Sequence, residues 1–216
     1  MANKKMQKKK SNRQSIIIGV IALIIIVIGA YAVIRQPGSQ NTNSTNPTAA
    51  STTSPVNSNG TKVLFQTTAG NITIQLRTDK PITTANFINI VQKGWYDGTI
   101  FHRVIAGFMI QGGAISQTTP SISDEIGTNN RNTPYTIAMA KTNQPNSATS
   151  EFFINVADNG ANSPGFDSTY TVFGTVISGQ SVVDAIANAP VTTNQQTGEN
   201  SQPVNPVTLI KASIIT

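Results

Sequence analysis

Among residue types able to do chemistry, this chain holds a single histidine, His102, and no cysteine. Disulfides, thiolate metal sites, a cysteine nucleophile and a lipidated cysteine are thereby excluded. A His-rich metal centre cannot be built, and any Ser-His-Asp chemistry would have to run through His102. Polar and apolar groups suited to holding a substrate concentrate instead in FHRVIAGFMIQGG, Phe101 to Gly113, and in the SEFF segment around Glu151. Taken singly, Arg103 reads as a solvated strand residue, and Phe108, Met109, Phe152 and Phe153 read as core. Strand alternation puts Phe152 and Phe153 on opposite faces, so one can be core while the other lines a groove. By the same rule His102, next to Arg103, reads as a structural, hydrogen-bonded histidine on the other face, while Trp95 and Tyr96 read as packing residues.

The formal net charge of +6 is unevenly spread. Residues 1–35 carry seven Lys/Arg and no acid, whereas residues 62–216 carry eight Lys/Arg against nine Asp/Glu. A phosphate-backbone binder needs its basic residues gathered on its own folded surface. The near-neutral C-terminal part offers no such cluster, so nucleic acid is not an expected partner.

Together with TTAGNITIQL (67–76) upstream, and IAMAKTNQPNSATSEFFINV (137–156) and YTVFG (170–174) downstream, FHRVIAGFMIQGG closely resembles the cyclophilin family. The motifs run in the family's order and spacing over nearly all of residues 62–214. The resemblance implies a peptidyl-prolyl cis-trans isomerase: a closed eight-stranded antiparallel barrel with a surface groove that binds X-Pro segments and turns the prolyl bond. Carried over by position, Arg103 matches the catalytic arginine. Phe108 and Met109 match residues lining the proline pocket, Gln111 a substrate-bonding glutamine, and Phe153 the pocket's aromatic floor. Ala140 and Lys141 match the pair whose backbone carbonyl and amide hold the peptide. Tyr170 stands where many members have histidine, and Phe166 for a leucine. Glu151 stands where members generally carry glutamine; sharing the face of Phe153, it is expected close to Arg103 and Gln111 as a charge partner. Segment 158–166 lacks the tryptophan of cyclosporin-binding members, which implies weak inhibition by that drug.

Elementary chemistry agrees with this reading. Turning an X-Pro amide crosses a barrier of about 18–20 kcal/mol, because C–N resonance must be lost, yet no bond is made or cut. No nucleophile, metal or cofactor is required. The reaction needs a donor to the prolyl nitrogen as it pyramidalises, which Arg103 can supply, and an apolar seat for the ring.

The elements expected to position these groups are mainly β. VLFQT (63–67) and NITIQLR (71–77) read as a hairpin around Gly70, and a helix opens at Pro81 and stops at Gly94. Strands are expected at 99–104, 108–112, 135–140, 152–156, 171–177 and 207–215, and a second helix at 180–188. Many short strands and two helices suggest a closed barrel with helices plugging its ends.

Ahead of this domain, at residues 62–216, three segments are expected. Residues 1–15 form a basic cytoplasmic N-terminus. Residues 16–34 are an uncharged apolar run of 19, long enough for a single membrane span, and the positive-inside rule sends the remainder of the chain outward. Residues 35–61 are a Ser/Thr/Asn/Pro-rich disordered linker, whose reach is about 25–30 Å. The alternative is a secreted protein cleaved after Ala30-Tyr31-Ala32. The chain is thus expected to be a monomeric, membrane-anchored isomerase acting on proline-containing exported or cell-envelope proteins. A non-catalytic peptide-binding module on the same fold is the competing function, and Glu151 is the only feature favouring it.

Overall fold

The computed structural model describes residues 60–215. The expected basic N-terminus, membrane span and nearly all of the expected linker lie outside them.

The described residues form β1 (Lys62–Thr67), β2 (Gly70–Leu76), α1 (Pro81–Gln92), β3 (Arg103–Ile105), β4 (Met109–Gly112), β5 (Thr136–Met139), β6 (Phe152–Asn155), α2 (Asn159–Asn162), β7 (Val172–Ser178), α3 (Gln180–Ala187), β8 (Val191–Thr193), β9 (Asn200–Pro203) and β10 (Leu209–Ile215). Eight strands make one antiparallel sheet in the order β10-β1-β2-β7-β5-β6-β4-β3, and β8 pairs only with β9. The sheet curls into a half-barrel.

The expected closed barrel is therefore corrected: β3 and β10, the two ends of the sheet, do not pair. The cause lies in the segment expected to be a strand at 99–104. Residues 95–98 run as turns, and only Arg103–Ile105 become strand. Along the gap a lone bridge joins Ile100 to Thr208, and the Phe101 amide donates to the Val207 carbonyl (3.0 Å). A strand of three residues cannot cover a partner of seven, so the seam is stitched rather than sheeted. Expected helix 81–94 is Pro81–Gln92 and expected helix 180–188 is Gln180–Ala187. The β8–β9 hairpin and the one-turn α2 were not anticipated.

Two apolar bodies lie on opposite faces of the sheet, because successive side chains of a strand leave opposite faces. In β6, Phe152 and Ile154 enter the main core, whereas Phe153 enters a second cluster with Met109, Ala138, Phe166 and Val172. Phe152 is fully buried, with the rings of Phe65, Phe87, Tyr96 and Phe101 centred 5.4, 5.9, 5.5 and 6.2 Å away. Its ring also dictates Gly113, whose left-handed φ of +79° and a Cβ that would stand 2.7 Å from Phe152 exclude a side chain. α1 begins at Pro81 without a cap of its own. Glu125, far along the chain, supplies one by accepting the Ile82 and Thr83 amides (3.1 and 2.7 Å).

Phe152→Ala removes the ring shared by these four neighbours and should cost about 3–5 kcal/mol by chemical denaturation. A loss of less than about 1 kcal/mol would show that the core collapses to fill the space.

Candidate active site

Strand register lays out the site. Arg103 pairs with Gln111 across β3–β4, Gln111 with Phe153 across β4–β6, Phe153 with Ala138 across β6–β5, and Ala138 with Val172 across β5–β7. These residues form one transverse row, joining a guanidinium to an amide and then to an apolar surface. Two residues along, on the same face, Ile105 pairs with Met109. The apolar end is aromatic: Phe153 lies 5.8 Å from Phe166 and 5.4 Å from Tyr170, and Phe166 lies 5.7 Å from Phe108 and 4.6 Å from Tyr170. Phe153 and Phe166 are buried, while Phe108 and Tyr170 are half-buried on their edge. Burial pushes the Tyr170 phenol up from its ordinary value, against the opposing charge of Arg103.

Loops carry Phe108, Phe166 and Tyr170, so something must fix those loops. Buried asparagines do. Asn159 donates to the Phe108 carbonyl (2.8 Å) and to Asn155 Oδ1 (2.6 Å), and Asn155 donates to Thr136 Oγ1 (2.9 Å) and Asn132 Oδ1 (3.2 Å). Asn130 donates to the Asp167 and Tyr170 carbonyls (2.5 and 2.8 Å) and accepts the Val172 amide (2.9 Å), while the Asp167 carboxylate accepts the Asn132 amide (2.7 Å). Each buried amide spans two chain segments, and leaving one unpaired would cost about 1–3 kcal/mol.

At the polar end, the expected partnership of Glu151 with Arg103 is replaced by another. Arg103 gives its Nε to Glu199 Oε2 (2.6 Å) and its Nη2 to Glu199 Oε1 (2.8 Å). Its Nη1 faces Gln111 Oε1 at 3.4 Å and the Met109 sulfur at 3.8 Å. Glu151 instead accepts Gln111 Nε2 (2.7 Å) and lies 3.4 Å from His102 Nε2. His102 thus sits beside the row rather than across the sheet from it. Alternation failed there because the residue precedes the strand, whose first residue is Arg103. Burial raises the Glu151 carboxyl, but His102 and Gln111 together outweigh it and hold the group below the ordinary glutamate value. Glu199 follows the same pattern: burial raises it, and Arg103 with Ser201 holds it low.

Ala140 and Lys141 continue from β5 at the rim. Ala140 donates its amide to the Glu151 carbonyl (2.9 Å). The nearly buried Lys141 Nζ lies 2.6 Å from Asp124 Oδ2, which also accepts the Asn146 amide (3.0 Å) and so ties down the loop between them. The structure therefore gathers Arg103, Met109, Gln111, Glu151, Phe153, Phe108, Phe166 and Tyr170 on one face, with Ala140 and Lys141 beside them. Sequence reasoning missed Glu199 and the asparagines. The one signal for Glu199 was its isolation, since it is the sole charged residue between Asp184 and Lys211. The asparagines, in an asparagine-rich chain, gave none.

Comparison with known proteins is consistent with this arrangement. Residues 62–214 match the family described as cyclophilin type peptidyl-prolyl cis-trans isomerase/CLD. A peptidyl-prolyl cis-trans isomerase of Acinetobacter baylyi is 46% identical over 162 residues, spanning 71% of this chain and 85% of that protein. Peptidyl-prolyl cis-trans isomerase A of Dickeya dadantii is 43% identical over 177 residues, spanning 78% and 89%. A crystal structure of a Cryptosporidium parvum cyclophilin type isomerase, determined in the presence of the dipeptide Ala-Pro, superposes with a TM-score of 0.63 at 25% identity, covering 72% of this chain and 99% of that one.

The two depressed carboxyls carry a sign. A glutamate held below its unfolded value contributes stability that is present above that value, about 4.3, and is lost as pH falls through the folded one. The melting temperature should therefore drop between about pH 5 and about pH 3, and less steeply in a Glu151→Gln, Glu199→Gln double variant. Identical slopes for the two proteins would mean that neither carboxylate is held ionised by its neighbours.

Proposed function

This chain belongs to the cyclophilin type peptidyl-prolyl cis-trans isomerases, and on that premise we propose that Arg103 is its catalytic donor and that its substrates are X-Pro segments of exported or cell-envelope proteins. The observation that carries the donor assignment is the transverse row, in which Arg103 Nη1 stands beside Met109 and Gln111 at the head of the apolar surface floored by Phe153. In this reading the proline ring of a substrate rests on Phe153, with Met109, Phe108 and Phe166 around it and Tyr170 at the rim. Gln111 bonds the substrate backbone, and the Ala140 carbonyl and Lys141 amide extend the peptide along the rim. With the ring held, the acyl side turns, and Nη1 donates to the prolyl nitrogen as its lone pair leaves resonance. Each tenfold in rate needs about 1.4 kcal/mol of preference for that geometry, and a charged donor in a partly dry groove can supply two or three such steps.

The Ala-Pro dipeptide named for the Cryptosporidium parvum relative supports a proline-containing ligand. Placement outside the cytoplasm is supported by the sequence alone, through the apolar run at 16–34 behind six basic residues. The linker at 35–61 then gives the domain reach beyond the headgroups, and a monomer needs no further contact to act. Glu151, the one feature that favoured a non-catalytic binder, no longer does so, because its carboxylate is engaged by Gln111 and His102 and leaves Arg103 alone.

Arg103→Ala should lower kcat/KM on an X-Pro peptide about a hundredfold or more, about 2.7 kcal/mol, in a protein that stays folded. A folded variant within threefold of wild type would remove the donor role. For the location, the full chain should stay with membranes through high-salt and carbonate washing, with its isomerase domain open to protease added from outside. A mature N-terminus at or just after Ala32 would show a cleaved signal in place of an anchor.

A further inference from the structure

The β8–β9 hairpin reaches the site through one side chain. β9 packs against β3, and Glu199, immediately before β9, is the residue that meets Arg103. Its mount is rigid. The Asn194 amide donates to the Glu199 carbonyl (2.8 Å), the Gly198 amide to the Asn194 carbonyl (2.8 Å), and Asn194 Oδ1 accepts the Gln196 amide (2.9 Å). The Val204 amide closes the hairpin base on the Pro190 carbonyl (2.9 Å), and Ser201 and Pro203 point inward as buried residues.

The way the pair is made matters more than its existence. A carboxylate can meet a guanidinium on the edge formed by its two terminal amines or on the side edge formed by Nε and one amine. Glu199 takes the side edge, and both groups are mostly buried, with side-chain exposures of 16% and 17%. The amine left over is Nη1, which lies on the groove side with only long contacts to Gln111 (3.4 Å) and Met109 (3.8 Å). Contacts of that length are easily exchanged for a substrate atom. A free arginine side chain gives up rotamer entropy when it is fixed. Glu199 meets that cost before substrate arrives.

We propose that Glu199 is a positioning residue for the isomerisation: by holding Nε and Nη2 from the β8–β9 hairpin, it sets the guanidinium plane so that Nη1 points over the proline seat. The proposal rests on Arg103 being the donor. Glu199 touches no substrate, so its removal should act on kcat and leave KM nearly unchanged.

The test is a double-mutant cycle on the full chain, with kcat and KM measured separately on an X-Pro peptide. Glu199→Ala should lower kcat about tenfold, and Glu199→Gln, which keeps the size and one acceptor, by a smaller factor. In an Arg103→Ala background neither change should lower the rate further, because no guanidinium remains to be set. Near-UV circular dichroism checks the fold, and if Glu199→Ala does not fold, the Glu199→Gln arm carries the cycle. A Glu199→Gln protein as fast as wild type or faster would overturn the proposal, since the carboxylate would then be idle or would restrain the donor. An equal loss in both backgrounds would overturn it too, by showing a general structural role. An Arg103→Ala protein at wild-type rate would sink the donor assignment itself, a result distinct from a slow Arg103→Ala paired with an unaffected Glu199→Gln.

Discussion

A strand must send neighbouring side chains to opposite faces, and β6 uses that constraint to serve two apolar bodies at once. Phe152 and Ile154 close the main core, while Phe153 between them enters the second apolar cluster with Met109, Ala138, Phe166 and Val172. Because antiparallel pairing fixes register, the position of Phe153 dictates what stands beside it: Gln111 on one side, Arg103 beyond, Ala138 on the other. A slip of one residue in β6 would bury Glu151 or Asn155 in the aromatic core and turn Phe152 outward, so the core holds the site in register.

The charges at the polar end of the row are partitioned by the same geometry. Two carboxylates lie near one guanidinium, and in a partly dry setting both could compete for it. Each is committed elsewhere in a definite way: Glu151 to Gln111 and His102, Glu199 to the side edge of Arg103. Both are held below the ordinary glutamate value despite burial, so near neutral pH they stay ionised. Gln111 links the halves, donating to Glu151 while its oxygen faces Arg103 Nη1. Its amide orientation is thereby set, with the oxygen toward the donor.

Most strands of the large sheet and both longer helices were legible in the sequence because their periodicity and their Pro and Gly stops are local signals, as in Pro81–Gln92, whereas the start of β3 and the β8–β9 hairpin were not. The row of motif residues was legible because FHRVIAGFMIQGG packs most of its members into one hairpin. What escaped had no local signal that named a partner. Glu199 meets Arg103 across 96 residues of sequence, and the asparagines of the loop network join segments tens of residues apart. The placement of His102 on the other face failed for the opposite reason, in that a local rule was applied one residue before the strand it governs had begun, while its reading as a hydrogen-bonded residue agrees with its contact to Glu151.

The expected closed barrel failed at the place where the site gains its unexpected partner. Had β3 been long enough to pair with β10, a strand would have covered its free edge, and the sheet would have no room there for another element. Because β3 stops after three residues, its edge is open, and the β8–β9 hairpin packs against it. That contact delivers Glu199 to the first residue of β3, which is Arg103. A fully hydrogen-bonded neighbour would have offered Arg103 only cross-strand side chains, at the spacing the sheet imposes. A hairpin leaning on the open edge can present a carboxylate from the side, which is the approach that engages Nε and Nη2 together and leaves Nη1 facing Gln111 and Met109. The gap in the barrel and the orientation of the arginine are thus two aspects of one structural fact, the shortness of β3.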